Sequence, residues 1–364
     1  MENADFGSID ALLEDMWERG GTDLLITTNS APRIRVDGAL YPVEGTATIT
    51  SDAVEVILKG LLDEALVEIF ETRKDVDFSF SWHDRARIRG NAFMQKGDIA
   101  IALRMIPSAI PTFEELGLPP VASWLSKLPR GFVLVTGPTG SGKSTTLASI
   151  IDYINNNRNV HVLTVEDPIE YIHNHKKSAI NQREIGTDSG SFERALRSAL
   201  REDPDVLLIG EMRDLESIQI ALTMAETGHL VFATLHTNDA AQAIDRVIDV
   251  FPAWRQDQIR VQLSASLAAV VAQRLVPKIG GGMVAAFEIL VATSASRNMI
   301  REGKTNQLRN IMTTSKGDGM QVLETSLAEL VKSNTITYED ALGVSSFPKE
   351  LARELGKNPN EIRD

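Results

Sequence analysis

No cysteine occurs anywhere in the 364 residues. That excludes disulfides, thiolate metal sites and palmitoylation, and it suits a reducing cytoplasm. Basic residues are also scarce, 37 against 50 acidic, for a net charge of −13. A protein that coats nucleic acid needs a basic surface to release counterions, so no nucleic-acid partner is expected beyond a local basic groove. No uninterrupted apolar run approaches the roughly 18 residues of a membrane span. The start, Met1 to Asp5, is acidic and lacks the apolar core of a secretory signal. The expectation is a cytoplasmic protein of two domains that meets a membrane only through a partner.

Against these absences stands one complete motif. Gly137, Pro138, Thr139, Gly140, Ser141, Gly142, Lys143 and Ser144 form GxxxxGK[ST], the phosphate-binding loop. Its glycines let successive N–H groups face phosphate oxygens, Lys143 brings a positive charge, and Ser144 offers a hydroxyl to magnesium. Residues 131–136 read as a buried strand entering the loop and 143–157, with Thr145 in its first turn, as the helix leaving it. This is the required context.

Along the rest of the chain, 8–19 reads as a helix with Ser8 or Asp10 as its cap. Strands follow at 24–28, 31–36 and 39–42, with a hairpin turn at Asp37-Gly38, then a helix over 51–71 and strands at 75–82, 86–94 and 99–106. This is an α+β module over 1–106. Prolines 107, 111, 119 and 120 mark a linker at 107–113, then short helices at 113–116 and 120–127. From 114 to 364 strands at 131–136, 160–166, 205–209 and 229–235 alternate with helices at 143–157, 191–202, 214–226 and 239–249. Such alternation implies an α/β domain with a mainly parallel sheet. Residues 273–277 and 283–290 read as an added edge hairpin, and helices at 294–302, 321–332 and 338–343 finish the chain.

The loop binds nucleotide, and acids at neighbouring strand ends decide the chemistry. The strand at 160–165 runs into Glu166-Asp167-Pro168-Ile169-Glu170, where one carboxylate is placed to activate water. The strand at 206–209 ends in Gly210-Glu211, which puts Glu211 where such enzymes keep the acid that supports magnesium; a glycine replaces the more usual Asp. His229 and His236 bracket the strand 230–235 and lack the company for a zinc set. The strand-end histidine with Thr234 and Thr237 beside it, His236, can sense the γ-phosphate or a neighbouring subunit, or serve as a hydrogen-bonded structural histidine. Arg194, Arg197 and Arg201 share a helix face that meets either nucleotide, a neighbour or solvent. In the first module Arg85, Arg87, Arg89 and Arg104 concentrate positive charge, although 1–110 carries only 11 basic against 19 acidic residues. An arginine aimed at a γ-phosphate from another domain is worth about 10³ to 10⁵ in rate; surface strand arginines are the plain alternative.

Four stretches, GPTGSGKSTT, VEDPIEY, ALRSALREDPDVLLIGEMRD and AETGHLVFATLHT, closely resemble the secretion ATPase superfamily of type II secretion and type IV pili over residues 8–335. They correspond to its Walker A loop, Asp box, Walker B region and His box. The resemblance implies ATP with Mg²⁺ and no zinc, Glu170 as general base, Glu211 and Ser144 on magnesium, and His229 and His236 as the His box, His236 beside the nucleotide. It further implies Arg89 and Arg104 as arginine fingers, a PAS-like first domain, a RecA-like second domain and a homohexameric ring. Absence of the four-cysteine zinc element of extension motors favours the retraction branch. That branch works at the inner face of the cytoplasmic membrane on a platform protein, alongside paralogous pilus ATPases. The family's AIRNLIRE signature appears as 295–302 with Ser296 for Ile and Met299 for Leu, which leaves an accessory retraction motor open. Pilus-assembly or secretion motors, a nucleotide-binding switch with little turnover, and a DNA translocase are the alternatives.

Overall fold

A computed structural model describes residues 9–36 and 38–361. Ser8 and Asp37, a suggested cap and half of a suggested turn, lie outside them. The chain divides into two compact units, up to Ala109 and from Ile110 onward.

In the first unit the helix Ile9–Glu18 buries Ile9, Leu12, Leu13 and Met16, its apolar stripe. Strands β1 (Asp23–Thr27), β2 (Arg33–Val36), β3 (Ala39–Pro42), β4 (Asp75–Trp82), β5 (Ala86–Gln95) and β6 (Asp98–Pro107) form one sheet in the order β3-β2-β1-β6-β5-β4. Every pairing is antiparallel. The single helix expected over 51–71 is instead two, Ser51–Leu61 and Glu64–Arg73. Asp63 interrupts it by accepting the N–H of Leu66 at 2.9 Å, an N-cap that restarts the helix. The expected helix at 113–116 is only one turn. Thr112 and Glu115 cap each other's N–H groups at 3.2 and 2.7 Å, and Gly117 then turns left-handed at φ 61°.

The second unit is built on β7 (Gly131–Thr136), β8 (His161–Glu166), β9 (Ala179–Glu184), β10 (Val206–Ile209), β11 (Leu230–Leu235), β12 (Leu267–Pro277) and β13 (Met283–Val291). Their order is β13-β12-β7-β11-β10-β8-β9. Only β13 runs antiparallel, so this is the mainly parallel α/β sheet that the alternation implies. Both faces are covered: Leu134, Leu207 and Val231 pack on one side, Val133, Leu208 and Phe232 on the other. One strand and three α-helices escape the sequence reading: β9, Ala253–Ser266, Leu308–Thr314 and Pro348–Glu354. The helix expected at 191–202 stops at Ala199, which leaves Arg201 beyond it, while Arg197 pairs with Glu193 at 2.8 Å.

The C-terminal helices are tied to the sheet through Arg309, which reaches Glu324 at 2.7 Å, Glu350 at 2.6 Å and Glu288 at 3.7 Å. Glu288 sits on β13 and accepts the N–H of Ala240 at 2.9 Å. Burial pushes its carboxyl from 4.5 up to about 7, against the pull of that N–H and of Arg309. The folded chain therefore keeps a proton that the unfolded chain gives up near pH 4.5, so stability from this group declines as pH rises to about 7 and then levels off. Thermal melts between pH 5 and 8 should show a smaller fall for Glu288→Gln than for the wild type, the slope of one such group being at most about 1.4 kcal/mol per pH unit. An unchanged slope would remove Glu288 from the account.

Candidate active site

Strand β7 delivers the chain into the loop, and the helix Lys143–Asn157 carries it away. Gly137 has φ 148°, and a Cβ there would lie 2.3 Å from the carbonyl oxygen of Gln273; one on Gly142, at φ 85°, would lie 2.8 Å from the Gln273 amide nitrogen. Both glycines are thus required by backbone sign and by the close approach of β12. Gln273 is buried and also accepts the Thr146 hydroxyl at 2.8 Å, so one amide braces the loop and the first turn of its helix. Sequence reading passed Gln273 over, because its contacts are 127 residues away.

Lys143 is only 8% exposed and donates to the carbonyl oxygens of Gly137 at 2.8 Å and Pro138 at 3.0 Å. Burial lowers its affinity for the proton, and the charges of Glu211 and Glu170 oppose that shift. Lys143, Glu170 and Glu211 therefore share one electrostatic neighbourhood. The sheet order explains it: β10 and β8 end at the same edge as β7, with β11 between β7 and β10.

Glu211 is gripped by Arg213 at 2.6 Å and by His236 Nε2 at 3.1 Å. The Arg213 hydrogen bond, reinforced by His236, holds its carboxyl below the usual range, so it is an anion at neutral pH. Gly210 precedes it where an Asp is more usual; a Cβ there would lie 3.1 Å from Glu166 Cα. The neighbouring strand thus leaves little room for a side chain. Thr234 donates its hydroxyl to the Gly210 carbonyl oxygen.

The loop after β8 is fixed by the unforeseen strand β9. Gln182 accepts the N–H of His173 at 2.7 Å and donates to the Tyr171 carbonyl at 2.8 Å, and Glu184 accepts the N–H of Ile169 at 3.0 Å. Glu166 accepts the Thr164 hydroxyl at 2.6 Å, and burial raises its carboxyl to about 7. Tyr171, next to Glu170, shares a hydrogen bond of 3.1 Å with Thr145, which pins this loop to the phosphate-loop helix.

The two histidines part company. His236 follows β11 at the loop's edge of the sheet, and Thr237 beside it bonds Thr136 through their hydroxyls at 2.6 Å. His229 precedes β11, at the opposite edge, where its Nδ1 lies 2.9 Å from the Met224 carbonyl oxygen and 3.2 Å from the Thr227 hydroxyl. Six residues of strand separate it from the loop's end of the sheet, about 20 Å at 3.3 Å per residue. Within one chain His229 does not join the site. Arg89 and Arg104 lie in the first unit as cross-strand neighbours on β5 and β6.

A phosphate loop at the carboxyl edge of a RecA-like sheet, with acids at the ends of two further strands, defines a P-loop nucleoside triphosphatase. The chain belongs to the type II/IV secretion system protein family, whose model matches residues 8–282. It is 48% identical to the type IV pilus retraction ATPase PilT of Pseudomonas aeruginosa, over 94% of this chain and 99% of that one. It is 42% identical to the type IV pilus ATPase PilU of the same organism, over 93% and 89%. The crystal structure of the pilus retraction motor PilT with bound ADP superposes with a TM-score of 0.87 at 46% identity, over 95% of this chain and 99% of that one. The protein is an ATPase, and its substrate is a nucleotide.

Replacing Gln273 by Ala should loosen the loop without touching a charged group. The expected result is KM for ATP raised roughly tenfold, the worth of about 1.4 kcal/mol, with kcat held within a factor of three. A steady-state titration with wild-type KM would contradict the bracing role.

Proposed function

We propose that the protein is an ATP-driven motor of type IV pilus retraction, working as a homohexameric ring on a platform protein at the inner face of the cytoplasmic membrane. The observation that carries the chemistry is the shared neighbourhood of Lys143, Glu170 and Glu211 at one loop. Backbone N–H groups of residues 139–145 bind the phosphates, and Lys143 moves from its carbonyl partners to the β- and γ-phosphates. Glu170 takes a proton from water as that water attacks the γ-phosphorus; the bond to the bridging oxygen breaks, leaving ADP and phosphate. Glu166 is the less available base, because its carboxylate already accepts the Thr164 hydroxyl at 2.6 Å and the Gln182 amide at 3.4 Å.

The donor set fits a nucleotide-borne Mg²⁺: Ser144 supplies a hydroxyl and Glu211 an ionised carboxylate. Among the described residues no cluster of His, Cys, Asp and Glu forms a separate metal cage. Magnesium keeps much of its water and needs few protein oxygens; bound there, it would neutralise phosphate charge. His236, already on Glu211, would report the presence of the γ-phosphate. His229 would act only through a neighbouring copy. Arg89 and Arg104 would be supplied to the triphosphate by the first unit of this or a neighbouring copy, and hydrolysis would release them, which converts turnover into movement.

An accessory retraction role is the second reading, favoured by the altered 295–302 signature. Ser296 is fully buried there and completes a capping box with Thr293, a polar use of a position where the family signature has Ile.

Nucleotide binding and phosphate release should separate the roles. Lys143→Ala should lose both. Glu170→Gln should retain ATP with kcat reduced about 10² to 10⁴-fold. Wild-type turnover by Glu170→Gln would transfer the base role to Glu166.

A further inference from the structure

One straight row of side chains crosses the first unit's sheet. The strand registers place Ser79 opposite Arg89, Arg89 opposite Arg104, Arg104 opposite Asp23, Asp23 opposite Arg35, and Arg35 opposite Leu40. From Arg89 to Leu40 the row lines an open depression of about 340 Å³. Asp23 is half-buried, its side chain 23% exposed against 61% for Arg104. Its carboxylate receives Arg104 Nε at 2.8 Å on one oxygen; the other faces Arg35 Nε at 3.5 Å and accepts the Thr22 hydroxyl at 2.7 Å.

We propose that Asp23 is a positioning residue for ATP hydrolysis, holding Arg104 by Nε so that its terminal nitrogens are presented outward to a triphosphate. The inference rests on the reading of Arg104 as an arginine finger.

Three physical points carry it. A solvated ion pair of this kind adds little to stability, so the pair is poorly explained as a staple. Asp23 takes Arg104 through Nε, and the rigid planar guanidinium then fixes where its two terminal amino groups point. Like charges on adjacent strands repel; Arg89 and Arg104 are neighbours in the row, Arg35 lies one strand beyond Asp23, and Asp23, the only carboxylate in the row, stands between Arg104 and Arg35. A carboxylate there keeps Arg104 extended from the sheet beside Arg89 instead of splaying away. The side chain therefore meets the nucleotide already oriented, and less freedom is lost on contact.

The test compares Asp23→Ala, Asp23→Asn, Arg104→Ala and the double variant Asp23→Ala/Arg104→Ala in the full chain, by kcat, KM for ATP and melting temperature. Asp23→Ala should lower kcat about ten- to a hundredfold, the scale of a misplaced catalytic group, with KM and melting temperature near the wild type. Asp23→Asn keeps an acceptor for Nε and should recover most of the loss. The double variant should be no slower than Arg104→Ala. Wild-type kcat for Asp23→Ala beside an impaired Arg104→Ala would overturn the role of Asp23 alone. A double variant well below Arg104→Ala, or a loss that appears only with a lowered melting temperature and is not recovered by Asn, would overturn it too. Wild-type kcat for Arg104→Ala would sink the finger reading itself, and Asp23 with it.

Discussion

A buried ammonium held among carbonyl oxygens within reach of two carboxylate fields is the constraint on which the second unit depends. Lys143 loses hydration in that position, and the cost is offset by the Gly137 and Pro138 carbonyls and by Glu170 and Glu211. Each requirement propagates outward. The carbonyls turn inward only because Gly137 and Gly142 adopt left-handed backbone against Gln273, and the two acids arrive only because β8 and β10 end at the same edge as β7. A triphosphate brings negative charge to the place where the ammonium stands, so binding replaces weak dipolar partners with formal charges.

Much of this was legible in the residues because local patterns carried it. The phosphate loop, the four strands β7, β8, β10 and β11 and the acids at their ends follow from contiguous apolar runs punctuated by glycine and by Pro168. Strand β9 was not legible: of Ala179–Glu184 only Ile180 is buried, as befits a polar edge strand, so no periodicity marks it. The helix Ala253–Ser266 was hidden for a related reason. Trp254 and Val261 are exposed while Ile259 and Leu263 are buried, which breaks up the apolar stripe. The first omission mattered for the site, since Gln182 and Glu184 of β9 hold the loop that bears Glu170.

Side-chain roles divided along the same line. Glu211 and His236 are neighbours in sequence to recognisable strand ends, and they meet at 3.1 Å. His229 belongs to the same short motif yet lies at the other edge of the sheet, because a strand of six residues intervenes. A motif records proximity in sequence, and only the strand between its members decides which edge each one reaches. Gln273 and Asp23 illustrate the complementary gap: each matters through a partner on another strand, and nothing in its own neighbourhood announces it.

The two units connect through chemistry if the first one's arginines engage the triphosphate and are released by hydrolysis. The chain's lack of cysteine makes this directly measurable, since single cysteines introduced at exposed Glu68 and Lys332 would be the only thiols available for spin labels. Distances between the labels should differ between Glu170→Gln protein loaded with ATP and the same protein loaded with ADP. Identical distance distributions in the two states, with both nucleotides shown to be bound, would contradict the account.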